Sequence, residues 1–267
     1  LHDALPIFKQ IETLQSAGVS CEVYHGNTDG EVIGDDDYPF PVHSIPVDIN
    51  TSKLKSFLAS FLFARKAAPL IASGQFDTVL CLTLAAAVTG MGAKKRRPAL
   101  NMIFDNNEMH IESMGTKLKR TLWRPLYRKA TNMSDFIIHA EENRKNYIEK
   151  HYSYDKSKPV FVLENFPNYI DHLPDRDDRK EPVKIIYLGG FGRNRFTEEI
   201  VDIFSQMDGV GSLDIVGFGK PSYVEAIKKR VSDTKSDNVR ILPPVPYREI
   251  PELLKSYDIG MALYRNT

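Results

Sequence analysis

The 267 residues carry 35 Lys and Arg against 35 Asp and Glu, a formal net charge of zero, so bulk electrostatics point to neither a nucleic-acid nor a strongly acidic partner. Hydrophobic residues at 42% and charged residues at 26% describe a globular chain with length for two ordinary domains. Every apolar run falls short of the roughly 18 residues that a membrane-spanning helix needs. The two cysteines, Cys21 and Cys81, sit in separate strand-like runs and read as buried free thiols in a reducing compartment.

In chain order, Phe8, Ile11 and Leu14 recur at helical spacing and Gly18 ends that helix. Residues 19–24 read as a strand, the acidic run 27–37 as a surface loop and 42–47 as a short strand. A helix with a strongly apolar face is predicted over 54–71, a β-branched strand over 77–82 and a small-residue helix over 84–90. AKKRRP follows as a basic loop, then strands at 100–104, 136–139 and 160–163. The alternation predicts a parallel sheet covered on both faces. An opening strand ahead of the first helix, where a doubly wound domain ordinarily begins, is not found.

Residues 171–182, DHLPDRDDRKEP, hold hardly an apolar side chain and read as a linker between domains at 1–170 and 183–267. The second domain repeats strand, turn and helix, with strands expected at 184–188, 213–216, 239–242 and 258–264. The fold class expected is α/β, two Rossmann-like domains. The last strand has no helix after it, so the chain reads as cut at both ends and the second domain as incomplete, with limited stability expected there.

Three glycine or proline turns follow apolar strands in the second half, where parallel α/β sheets present backbone N–H groups and helix starts to phosphorylated ligands. The first is Gly189-Gly190-Phe191-Gly192-Arg193-Asn194-Arg195. A dinucleotide fingerprint needs a small residue where Arg195 stands, which disfavours a nicotinamide oxidoreductase. Glycine N–H donors beside Arg193 and Arg195 suit a diphosphate better; the plain alternative is a surface arginine near an ordinary turn. The second, Gly217-Phe218-Gly219, either admits a ligand close to the backbone or is a simple tight turn. The third, Pro243-Pro244-Val245-Pro246, either offers Pro244 and Val245 to a nucleobase edge or is a rigid connector.

Two further segments lie in the first half. Asp105-Asn106-Asn107-Glu108-Met109-His110 ends a strand, and Glu108 and His110 are its acid–base candidates; a lone His without metal-spaced partners implies no metal site. Over 117–129, Lys117, Arg120, Arg124 and Arg128 share one helical face and Leu118, Leu122, Trp123, Leu126 and Tyr127 the other. That is the composition of a helix lying on an anionic membrane surface and equally of a core helix with a solvated basic face. Pro125 is expected to kink or split it.

These features together resemble the family-four glycosyltransferases of the GT-B fold over nearly the whole chain. Residues 187–198 are similar to that family's glycine-rich turn after a strand, and on that register Arg195 matches the arginine that contacts the donor diphosphate. LDIVGFG resembles its second glycine-ended strand, and ILPPVPYREIPELLKSYDIGMALY its following strand–helix–strand stretch. SDFIIHAEENRKNYIEK and VLENFPNY resemble the segment that closes the first domain. IFDNNE is similar to a segment that carries an active-site His in relatives, but Asn107 stands at the His position.

The resemblance implies sugar transfer from a nucleoside-diphosphate sugar to a glycan or lipid-linked acceptor, with retention, no required metal and no cofactor. The implied setting is cell-envelope or extracellular polysaccharide synthesis, in the cytoplasm or peripherally at the inner membrane face. The donor is expected on the second domain and the acceptor on the first. Gly189, Gly190, Gly192, Arg193, Arg195, Gly217, Gly219, Pro244 and Val245 are the expected donor set. The family's acidic donor-sugar region is expected beyond Thr267, so little transfer is expected of these residues alone. A GT-B sugar-nucleotide epimerase and a non-catalytic nucleotide-sugar-binding protein remain alternatives.

Overall fold

A computed structural model describes residues 5–27, 39–47, 55–107, 117–152, 155–166, 182–207, 209, 211–246 and 249–265. The chain divides into two compact units, Leu1–Pro167 and Asn168–Thr267. Of the expected linker 171–182, all but Pro182 lies outside the described residues.

The first unit begins with α1 (Leu5–Ser16), β1 (Val23–Asn27), β2 (Val42–Pro46) and α2 (Lys55–Ser73). It continues with β3 (Thr78–Cys81), α3 (Leu84–Arg96), β4 (Asn101–Asn106), α4 (Lys117–Met133), β5 (Phe136–His139), α5 (Glu142–His151) and β6 (Val160–Val162). Strands β3-β4-β5-β6 form one parallel sheet in that order, while β1 and β2 pair separately, also in parallel. The core joins Met102 and Phe104 of β4 to Leu84, Ala87 and Met91 of α3 and to Trp123, Tyr127 and Ala130 of α4. Small residues let α3 come close: a Cβ on Gly90 would lie 2.4 Å from the Cys81 sulfur.

Three local expectations are corrected. AKKRRP is not a loop, since α3 runs on to Arg96. Thr83 accepts from the Ala86 N–H at its start, and Lys94, Lys95 and Arg96 complement the dipole at its end. Pro125 does not split α4, which is continuous through it; Pro125 is exposed, so its missing N–H is lost on the solvent side. The first strand begins at Val23 rather than at residue 19.

The second unit contains β7 (Val183–Leu188), α6 (Thr197–Phe204), β8 (Gly211–Val216), α7 (Pro221–Thr234), β9 (Val239–Leu242), α8 (Ile250–Leu254) and β10 (Ile259–Met261). All its pairings are parallel, in the order β10-β7-β8-β9. Alternate residues of β7 and β8 enter different clusters. Ile185, Tyr187, Leu213 and Ile215 meet Ile200, Val201 and Ile227 of α6 and α7. Ile186 and Val216 meet Tyr257, with Leu253 of α8 beside them. Burial on both faces accounts for the near-continuous apolar runs in these strands. The last strand is shorter than expected, three residues rather than the run 258–264.

Candidate functional site

The turns after β7 and β8 lie at the same, carboxyl-terminal edge of the second unit's sheet, because the strands run parallel. They are also bonded to each other. The Gly189 N–H donates to Val216 O at 3.0 Å and the Phe191 N–H to Phe218 O at 2.7 Å. Gly217 is required by this approach: a Cβ there would stand 1.8 Å from Gly189 O. Phe191 is buried, whereas Phe218 is exposed.

After Gly192 the chain makes one tight turn, Arg193–Arg195, and enters α6 through Phe196 in left-handed backbone. The Arg195 N–H donates to Gly192 O at 2.9 Å, and Thr197 Oγ1 lies 3.3 Å from both the N and the O of Gly192. Glu198 and Glu199 follow in the first turn of α6, where the dipole favours acids. The Tyr187 hydroxyl donates to Gly190 O at 2.8 Å. Burial pushes that hydroxyl's pKa up, and the positive charge of Arg195 partly offsets it. Arg193 is 88% exposed and lies 3.8 Å from Glu198, a loose surface pair of small energetic weight.

Three residues that sequence reasoning missed belong to this turn. Tyr264 places its ring 3.7 Å from the Arg195 guanidinium carbon. Arg265 donates its backbone N–H to Asn194 O at 2.9 Å and its Nε to Arg193 O at 2.8 Å, pairs with Glu199 and stacks on Phe196 at 4.5 Å. Burial, then Glu198, pushes the Tyr223 hydroxyl of α7 to about 12. No local spacing signals such long-range meetings.

The third turn departs from the first two. Pro244 is exposed, but Val245 is tucked against the Ile186–Val216–Tyr257 cluster. Its side chain anchors the turn, and the prolines on either side of it stay exposed.

In the first unit, Glu108 and His110 lie outside the described residues. Their neighbours at the carboxyl end of β4 are buried and polar. Gln10 Nε2 on α1 donates to Asp105 Oδ2 at 2.8 Å, while Asp105 Oδ1 and Gln10 Oε1 have no partner among the described residues. Burial raises the Asp105 pKa, opposed by that hydrogen bond. Asn106 donates to the Tyr127 hydroxyl at 3.3 Å, and Arg144 to Asn107 O at 2.5 Å. His139 is the register neighbour of Asn106 on β5; it is fully buried and neither ring nitrogen has a partner among the described residues. Burial, reinforced by Lys145 and opposed by Glu142, lowers its pKa to about 4. Sequence reading passed over His139 because its run, FIIH, reads as plain strand.

On α4, Trp123 and Tyr127 are core residues, so the Trp does not face a membrane. Arg124 and Arg128 are exposed on the other face; the side chains of Lys117 and Arg120 lie outside the described set. Among the described residues no helix is long and apolar enough to cross a membrane, and no three His, Cys, Asp or Glu side chains are grouped as metal ligands.

The fold is that of solved GT-B glycosyltransferases. Anabaena HepE, solved with UDP and glucose, matches with a TM-score of 0.64 at 11% identity, over 91% of this chain and 74% of that one. A glycosyltransferase from Rickettsia africae gives 0.59 at 16% identity, over 94% and 66%. MurG of Acinetobacter baumannii gives 0.55 at 15%, over 96% and 66%. The chain thus spans 66–74% of the length of these proteins, and at such identities the likeness is one of fold. No protein-family model matches the chain, and no curated protein matches it in sequence.

Proposed function

We propose that this chain belongs to a glycosyltransferase that takes its sugar from a nucleoside-diphosphate donor. One observation carries the reading: two glycine turns are hydrogen-bonded together at a single sheet edge, with Arg195 beside them. Such an edge supplies N–H donors and positive charge to a diphosphate, which is the leaving group when a nucleotide sugar is cleaved. The likeness in fold to HepE, which was solved with UDP-glucose, supports the same donor class. Gly189, Gly190, Gly192, Gly217 and Gly219 shape the site, Arg195 and Arg193 bring charge, and Pro244 and Val245 contribute backbone at its rim.

Retention, independence of metal and a glycan or lipid-linked acceptor in envelope polysaccharide synthesis complete the reading, on the strength of the motif resemblance. Adhesion to the cytoplasmic face of a membrane through the basic side of α4 belongs to it as well. Asn107, where the similar segment has a His, favours one rival: a nucleotide-sugar-binding protein without transfer.

Titration calorimetry of the folded chain with UDP tests the site. Binding is expected, and Arg195→Ala is expected to weaken it by about 1.5–3 kcal/mol, the scale of a charge-assisted hydrogen bond. A folded chain that ignores UDP would sink the reading. UDP-glucose that is bound but neither cleaved nor transferred, also by a longer version of the chain, would select the rival.

A further inference from the structure

We propose that Tyr264 is a positioning residue for Arg195, holding the guanidinium ready for the donor diphosphate. The inference rests on the functional reading above. It begins with what stacking does to an arginine. A guanidinium over a ring is attracted through its flat face, while its N–H donors lie in the plane and stay free at the edge. The Arg195 carbon sits 3.7 Å from the Tyr264 ring, and among the described residues its side chain makes no hydrogen bond or ion pair. Tyr264 therefore restrains the plane of the group without consuming the fork that grips two phosphate oxygens.

The next residue anchors the arrangement. Arg265 holds the carbonyls of Arg193 and Asn194 and the carboxylate of Glu199, and lies over Phe196. These contacts tie the segment after β10 to the turn that carries Arg195, up to 72 positions away in sequence. The Tyr264 ring is thus fixed relative to the arginine it touches. It is also 64% exposed, so it contributes little to the core and its replacement leaves the fold intact. An unrestrained arginine must be ordered when ligand arrives, at about 0.5–1.5 kcal/mol for a side chain of this kind. Removing the ring is expected to cost about two- to tenfold in affinity, which is the same quantity at 1.36 kcal/mol per decade.

The experiment compares UDP and UMP binding to the wild-type chain, Tyr264→Leu, Tyr264→Phe, Arg195→Ala and the Tyr264→Leu/Arg195→Ala double variant, with circular dichroism to confirm folding. Tyr264→Leu should weaken UDP by about two- to tenfold and UMP less. Tyr264→Phe, which keeps the ring, should bind as wild type. The Leu change should have no further effect once Arg195 is gone. Wild-type affinity in Tyr264→Leu, or an equal loss with and without Arg195, overturns the positioning role while leaving the donor site standing. Failure of the folded wild type to bind UDP removes both.

Discussion

Phe196 and Lys235 both hold left-handed backbone, at φ of 56° and 53°, and their fates under substitution should differ. Lys235 closes α7 and is exposed. A non-glycine residue there costs roughly 1–2 kcal/mol, and glycine returns about half of that through the unfolded chain. Lys235→Gly is therefore expected to stabilise the second unit by about 0.5–1 kcal/mol, read as a higher urea midpoint. An unchanged or lowered midpoint would speak against the assigned conformation. Phe196 packs against the core and receives the Arg265 stack, so Phe196→Gly should lower the midpoint despite relief of the same strain.

Asp214 brings a carboxylate into the middle of an apolar strand, LDIV, and only the sheet explains it. It sits between Ile186 of β7 and Arg240 of β9 in register and is 4% exposed. Arg240 grips it with two hydrogen bonds of 2.8 Å, and the Tyr257 hydroxyl donates at 2.7 Å. Burial, then Asp214, pushes that hydroxyl to about 12, so it remains a donor across the working pH range. Asp214→Asn cannot accept all three bonds and should cost about 1.5–3 kcal/mol. A loss below 0.5 kcal/mol on urea unfolding would mean that Arg240 spends its time in water. On α4, the reading of an apolar side and a basic side was legible from spacing alone, and which side met the core was not; Trp123 and Tyr127 decide it. The exposed Arg124 and Arg128 should give salt-sensitive adhesion to anionic vesicles, at about 1 kcal/mol per residue near the surface. Sedimentation of wild type and an Arg124/Arg128→Gln variant tests this; equal partition, or none by either, removes the membrane role.

For the whole chain, short apolar runs alternating with helical patterns gave away the ten strands of the described residues, and in the second half glycine or proline marked where three of them stop. They did not show that β1 and β2 pair apart from β3–β6, because pairing partners are set by packing of α2 and α3 and not by any one run. At the site, the glycine turns were readable and the pins on them were not: Arg265 and Arg193 are 72 residues apart, and no periodicity links them. Buried His139 adds a property of the molecule as a whole. It stays neutral in the fold down to a pKa of about 4, while the unfolded chain takes up a proton near 6.5. The unfolded state binds more protons in that window, so stability falls as pH drops from about 6.5 to about 4, by on the order of 3 kcal/mol. His139→Leu should flatten this limb in urea unfolding at a series of pH values; a limb unchanged in the variant would assign it elsewhere.

The pairing of Gln10 with Asp105 has the opposite sense. With the carboxyl ionised, Asp105 Oδ1 and Gln10 Oε1 are two buried acceptors without a donor among the described residues, on groups already joined by one 2.8 Å bond. A single hydrogen ion on the carboxyl turns one of them into a donor for the other, and the acid and the amide then close a two-bond ring. Burial raises the Asp105 pKa in that direction. Between the unfolded and the raised folded value, folding here withdraws a hydrogen ion from solution. Its contribution is complete below the ordinary carboxyl range and is lost as pH rises through the folded value. Asp105→Asn, which keeps a donor at every pH, should abolish that dependence. Helix α1 is then fastened to β4 by a ligand that every buffer contains, and its hold loosens as pH rises through the folded carboxyl's raised value.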